Sequence, residues 1–144
     1  MSIALVVRFL HVVAALTWVG GMLFVALVLV PVARRLEDPL QRRRLFHTVG
    51  VRFRAVGWAA IGLLIATGLV NVWLRPELLT LGRFWMKIVL VILALALEAI
   101  HDFVLGPRAG QPDARPFLRA AASWVARTTV LLVLVVVYLG LSFR

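Results

Sequence analysis

Residues 3–30 read IALVVRFLHVVAALTWVGGMLFVALVLV, an apolar run with an arginine and a histidine set inside it. About 20 apolar residues wound as a helix cross about 30 Å of hydrocarbon, so a run of this length predicts a membrane span. No water is available at that depth to satisfy backbone groups, which leaves a helix as the structure that can form. At helical spacing Arg8, His11, Ala15, Trp18 and Met22 share one face. A charge or imidazole at membrane depth is costly, turns to a bundle interior or to water, and marks function. The opposite face, with Val6, Val13, Leu16, Leu23 and Leu27, suits lipid.

The same apolar character returns three more times, and the expected helices cover residues 3–30, 55–74, 84–105 and 121–143. We read residues 1–144 as one integral membrane domain, all-α, a four-helix transmembrane bundle. The composition agrees, at 63% hydrophobic residues and a mean hydropathy of +1.03. The first run exceeds the length of a signal-peptide core and is followed at once by Arg34 and Arg35, so it reads as a permanent helix. Pro31, Arg75–Pro76 and Gly106–Pro107 are the expected stops of the first three helices. Gly57, Gly62, Ala66 and Gly68 in the second helix would let a neighbouring backbone approach closely. No repeat of useful length is visible. There is no cysteine, which removes disulfides and thiolate ligands.

The formal charge of +10 has to be placed before it is interpreted. Most of the arginines lie between the apolar runs, where they act as topology signals and contacts for anionic lipid. No nucleic-acid recognition module accompanies them, so nucleic acid is not an expected partner. The first connector holds Arg34, Arg35, Arg42, Arg43, Arg44, Arg52 and Arg54, with a short amphipathic piece expected over residues 40–47; the third holds Arg108, Arg115 and Arg119. The positive-inside rule then puts both connectors in the cytoplasm and both termini on the outer side. The expected location is a bacterial cytoplasmic (inner) membrane, crossed several times.

Polar residues inside the runs are the candidate site. On the third helix Lys87, Ala94, Glu98 and His101 fall in one narrow sector, and on the fourth Arg127, Leu131, Leu134 and Tyr138 do. His11 lies about 12 Å from the outer end of its helix and His101 about 25 Å from the outer end of its own, so they are not expected to share one ion. Imidazole suits copper and haem iron, and a thioether selects Cu(I), which makes Met22 and His101 a sensible copper pair if the helices bring them together. Glu98-Ala-Ile-His101 has the Glu-x-x-His spacing of di-iron bundles, but those need two such motifs and this chain has one.

Each of these residues also has a plainer explanation. Glu98 neutralises Arg127 or Arg54 if intramembrane charges simply pair. Arg8 and Lys87 lie near enough to helix ends to snorkel outward. Trp18, Trp58, Trp73, Trp85 and Trp124 suit an interfacial belt or packing, and Met22 a core. His47, among arginines, suits the interface. His11 stands apart as a deep imidazole on the inward face beside Trp18 and the Gly20–Gly21 pair.

The set Arg8, His11, Trp18, Gly20 and Gly21 resembles the opening helix of the bacterial copper resistance protein D family. FWMK followed by an apolar stretch and HDFVLGPR, with Lys87, His101, Pro107 and Arg108, resembles that family's third-helix segment, and Arg127 fits the arginine that opens its last apolar run. The resemblance covers most of the chain in order. It implies a membrane protein that binds or passes copper through intramembrane sites; together with the donor chemistry above, the candidate metal-site residues are His11, Met22, His101 and Glu98, with Arg8 and Arg127 as supporting charges. A glutamate expected just after Arg127 is absent. The same residues are similar to HemJ-type protoporphyrinogen oxidases, which implies haem b at His11 with Lys87 and Trp18 beside it. On that reading the chain is a haem-dependent membrane oxidoreductase or electron carrier; on the copper reading it is not an enzyme. A third reading is a structural membrane subunit, part of a homo-oligomer or joined to a membrane partner. The chain's three histidines cannot supply two bis-histidine haems.

Overall fold

Prolines and their neighbours set where the helices start. A computed structural model of the chain describes residues 2–141. Asp38 has an extended backbone and its carboxylate accepts the Leu40 N–H at 2.8 Å, with Pro39 in the first helical turn. Asp is a preferred cap, and proline there gives up an N–H that has no partner within the helix. The last helix likewise begins on a proline, Pro116. The helices are α1 (Ile3–Arg34), α2 (Pro39–Leu74), α3 (Gly82–Ala109) and α4 (Pro116–Leu141), all four long and apolar enough to cross a membrane. A 3-10 turn, Pro76–Thr80, lies between α2 and α3. Among the described residues there is no strand, and the fold is all-α as expected.

The helix ends differ from the sequence expectation in an informative way. α2 starts at Pro39 and not near residue 55, because the arginines of the connector are good helix formers and nothing after Asp38 breaks the run. Its 36 residues make a rod of about 54 Å. Hydrocarbon is only about 30 Å thick, so the arginine-bearing first turns extend beyond it. α1 continues past Pro31 to Arg34, and α3 past Pro107 to Ala109. In each, a π-helical turn comes just before the proline: Val25–Leu29 in α1 and His101–Leu105 in α3. Proline lacks an N–H and its ring crowds the carbonyl four residues back. The wider turn takes up that mismatch without ending the helix. α4 begins at Pro116 and not at residue 121, and the end expected at residue 143 lies outside the described residues.

The chain divides into two compact units, Met1–Thr80 and Leu81–Arg144, each a helical hairpin. In the first, α1 packs along α2. Ala14, Trp18, Met22, Leu29 and Ala33 are the buried line of α1, at helical spacing, and Ala60, Ile61 and Thr67 are buried on α2. Of the expected lipid face, Val6, Val13, Leu16 and Leu27 are exposed, whereas Leu23 is half-buried. Of the small residues of α2, Gly57 and Gly68 lie against α1 side chains, whereas Gly62 and Ala66 do not serve that contact.

In the second hairpin α3 packs along α4. Phe84, Ala94 and Glu98 are buried on α3. Lys87 and His101 are half-buried, so the polar sector expected on α3 is its inward side. The stripe expected on α4 is not inward. Arg127, Leu131, Leu134 and Tyr138 are exposed, and Ala122, Thr129 and Val133 are the buried side. Small and β-branched residues let two backbones come close without water to drive them together, and the bulkier stripe turns outward.

Candidate functional site

His11 is held by a relay from α2. Its Nδ1 lies 2.8 Å from Thr67 Oγ1, and the Thr67 hydroxyl donates to the Leu63 carbonyl at 2.6 Å, with the Leu64 carbonyl at 3.3 Å. A threonine hydroxyl has one proton, and back-bonding to the preceding turn uses it. Thr67 therefore accepts from His11, which places the imidazole proton on Nδ1 and the lone pair of the neutral ring on Nε2. Metal-binding histidines are typically oriented by such an acceptor on the other nitrogen. The ring rests on Gly68, where an added Cβ would lie 3.7 Å from His11 Cε1.

Two turns further along α1, Trp18 is buried with its ring 3.7 Å from where a Cβ on Gly57 would stand. Its Nε1–H is buried and has no hydrogen-bond acceptor among the described residues. An unmet donor of this kind costs about 1–3 kcal/mol. Met22, one turn beyond, is also buried. Between them Gly21 is needed for close approach, because a Cβ there would overlap the Phe53 ring. Along the axis Trp18 is about 10 Å and Met22 about 16 Å from His11. These residues form a file along one buried face and not one coordination sphere. Arg8 is exposed and lies off this face. The buried line runs back through half-buried Val7, and one residue is a rotation of about 100°.

The second hairpin orients its own imidazole. His101 Nδ1 lies 3.2 Å from Asp102 Oδ1, whose side chain is mostly buried. A carboxylate only accepts, so His101 carries a proton on Nδ1 and donates it to Asp102. His101 opens the π-helical turn, and the Gly106 N–H donates to its carbonyl. A Cβ on Gly106 would stand 2.9 Å from that oxygen, which is why glycine occupies the position. Glu98, three residues earlier, is buried. The Lys87 Nζ lies 3.3 Å from where a Gly140 Cβ would be, so the lysine stem crosses α4 at its glycine. Arg127 stacks on the Trp124 ring, 5.4 Å from its centroid, in a cation–π contact.

Among the described residues, no three His, Asp or Glu side chains gather into a metal-holding group. The first hairpin holds one oriented imidazole, His11, and a buried thioether, Met22; the second holds another oriented imidazole, His101, and a buried carboxylate, Glu98. Thr67 is the residue that sequence reasoning missed. Its signal was a hydroxyl inside an apolar run, next to a glycine already marked as a close-approach position. Asp102 follows His101 in the HDFVLGPR stretch, but its role as the partner of His101 emerges only from the geometry.

The sequence model of the family described as copper resistance protein D matches residues 47–142, which takes in most of α2 and all of α3 and α4, with Lys87, Glu98, His101 and Arg127. A protein of Aquifex aeolicus (strain VF5), described only as an uncharacterized protein, is 37% identical over 143 residues, covering 94% of this chain and 92% of its own length. No solved structure matches the chain. The file His11–Trp18–Met22 precedes the stretch that the family model matches. Four spanning helices and a match over most of the chain lead to one assignment: this multi-pass membrane protein belongs to the copper resistance protein D family.

Proposed function

We propose that the protein carries copper through the membrane as cargo, on weak sites spread along the two hairpins. The observation that carries this reading is the His11–Thr67–Leu63 relay, which holds the imidazole through its Nδ1 and fixes the orientation of the ring. Cu(I) is a soft ion that takes imidazole and thioether donors. His11 and Met22 supply one of each on the same buried face, about 16 Å apart along α1. A single ion does not reach both, so they act as successive stations. That suits transfer, because conduction needs sites that release as readily as they bind. In the second hairpin His101, oriented by Asp102, and Glu98 are the corresponding donors. The charge distribution adds sidedness, with the arginine-rich connectors on the cytoplasmic side of a bacterial inner membrane and both termini outside.

The test is a Cu(I) titration of the detergent-purified protein against a chromophoric chelator under reducing, anaerobic conditions. Wild type is expected to compete for copper. His11→Ala should remove the tightest class of site, and Met22→Leu should weaken Cu(I) without changing the fold. A wild-type protein that takes no copper from the chelator sinks the proposal. A Soret band lost in His11→Ala would assign the same imidazole to haem instead.

A further inference from the structure

Two surface clefts meet at Thr48 of the first hairpin, and they differ in chemistry. One, of about 420 Å³, lies between α1 and α2 and is lined by Thr17, Gly21, Thr48, Phe53 and Val56, with Arg52 at its edge. The Thr17 hydroxyl is turned into its own helix, donating to the Val13 carbonyl at 2.9 Å, so the wall it presents there is largely apolar. The other, of about 380 Å³, opens on the protruding part of α2 and is lined by Leu40, Arg43, Arg44, His47 and Thr48. Arg43, Arg44, His47 and Arg52 are all exposed. At helical spacing Arg44, His47 and Thr48 follow one another along a single face toward Arg52 and Val56.

An occupant of both clefts has to be an amphiphile with an anionic head. The 36-residue α2 is longer than about 30 Å of hydrocarbon requires, and the basic cleft lies toward its arginine-rich start while the apolar cleft lies toward its apolar run. We infer that this face of the first hairpin is a binding site for one anionic phospholipid of the adjoining leaflet. Its phosphate lies among Arg43, Arg44 and His47, and the upper part of one acyl chain lies in the groove over Gly21 and Phe53. Arg52 reaches back toward the phosphate while its methylene stem lines the groove, as long basic side chains do at this depth. Guanidinium groups suit the phosphate because their planar forks match its oxygens. The charge complementarity favours an anionic over a zwitterionic lipid. The apolar groove distinguishes the site from a diffuse attraction of basic residues to a charged surface.

The experiment is native mass spectrometry of the full chain released from nanodiscs of mixed phosphatidylglycerol and phosphatidylcholine. Wild type is expected to retain one phosphatidylglycerol selectively. Arg43→Gln with Arg44→Gln should reduce that retention at least tenfold. Arg34→Gln with Arg35→Gln removes the same charge from outside both clefts and should leave it unchanged. Val56→Trp fills the groove without altering charge and should also release the lipid; Thr17→Leu serves if the tryptophan variant is not monodisperse. Equal losses from the two arginine pairs would mean diffuse attraction and overturn the site. Retention in the groove-filled variant would overturn the acyl part, and with it the inference. Wild-type protein released with no lipid, or with a second copy of itself on this face, overturns it as well.

Discussion

Thr67 is one hydroxyl, yet it decides which nitrogen of His11 carries the proton it donates. Thr67→Val keeps the shape and removes the acceptor, so Nδ1–H loses its partner and the ring its fixed tautomer. Loss of an orienting contact of this kind costs about 10–100-fold in metal affinity. The Cu(I) competition titration should weaken by that amount in Thr67→Val and stay near wild type in Thr67→Ser. If valine binds as well as serine, the relay does not serve the ligand. Trp18 gives a second contrast, one of stability. Trp18→Ala empties a buried indole site and should cost about 3–5 kcal/mol. Trp18→Phe loses some packing but also removes the buried N–H that has no acceptor, which offsets part of the loss. Thermal unfolding in detergent should therefore place the phenylalanine variant close to wild type and the alanine variant far below. His11 and Trp18 were legible in the sequence because polar and aromatic groups stand out against aliphatic residues. Thr67 was not, because its importance lies in where its single proton goes.

At the scale of the helix, glycines separate into positions where a Cβ is tolerated and positions where it is not. A Cβ at Gly20 meets nothing within 4 Å, so Gly20→Ala gains up to about 1 kcal/mol of helix propensity. Gly106→Ala drives a Cβ against the His101 carbonyl, a backbone atom inside the π-helical turn, and should cost about 1–3 kcal/mol. Melting temperatures should move in opposite directions, and equal shifts would discard this account of the turn. Glu77, in the turn after α2, adds a pH dependence. Its carboxyl is held below its ordinary range, first by a hydrogen bond from its own backbone N–H and then by Arg75, 3.1 Å away. A lowered folded value means that the contact stabilises fully above the ordinary carboxylate pKa and is lost as pH falls through the lowered one. Carboxyl NMR shifts should show Glu77 titrating below free glutamate, and Arg75→Gln should raise the midpoint. The spans themselves could be read from apolar runs. Their ends could not, since Pro31 and Pro107 look like stops until a π-helical turn is seen to absorb each one.

Across the whole molecule the two hairpins use the same devices although their sequences show no useful repeat. Each first helix carries a π-helical turn, then a proline, then arginine at its end; each second helix starts on a proline. Both arginine-rich turns are expected on the same side of the membrane, because two spans, α2 and α3, separate them in the chain. Arg34, Arg35, Arg42, Arg43 and Arg44 surround the first turn, and Arg108, Arg115 and Arg119 the second. The other side has Arg75 and Arg83 in its connector. Short basic connectors are retained in the cytoplasm, and the extension of α2 beyond the hydrocarbon moves its arginines to the surface without removing them from that count. Alkaline phosphatase fused within the α1–α2 turn should thus be inactive, and fused within the α2–α3 turn or after α4 it should be active; a fluorescent protein at the same points should give the inverse pattern. Replacing Arg42, Arg43 and Arg44 by glutamine should weaken this bias while leaving Arg108, Arg115 and Arg119 to hold the second hairpin in place. An active phosphatase in the α1–α2 turn of the unaltered chain would reverse the orientation, and the direction of any copper transfer would have to be reassigned with it.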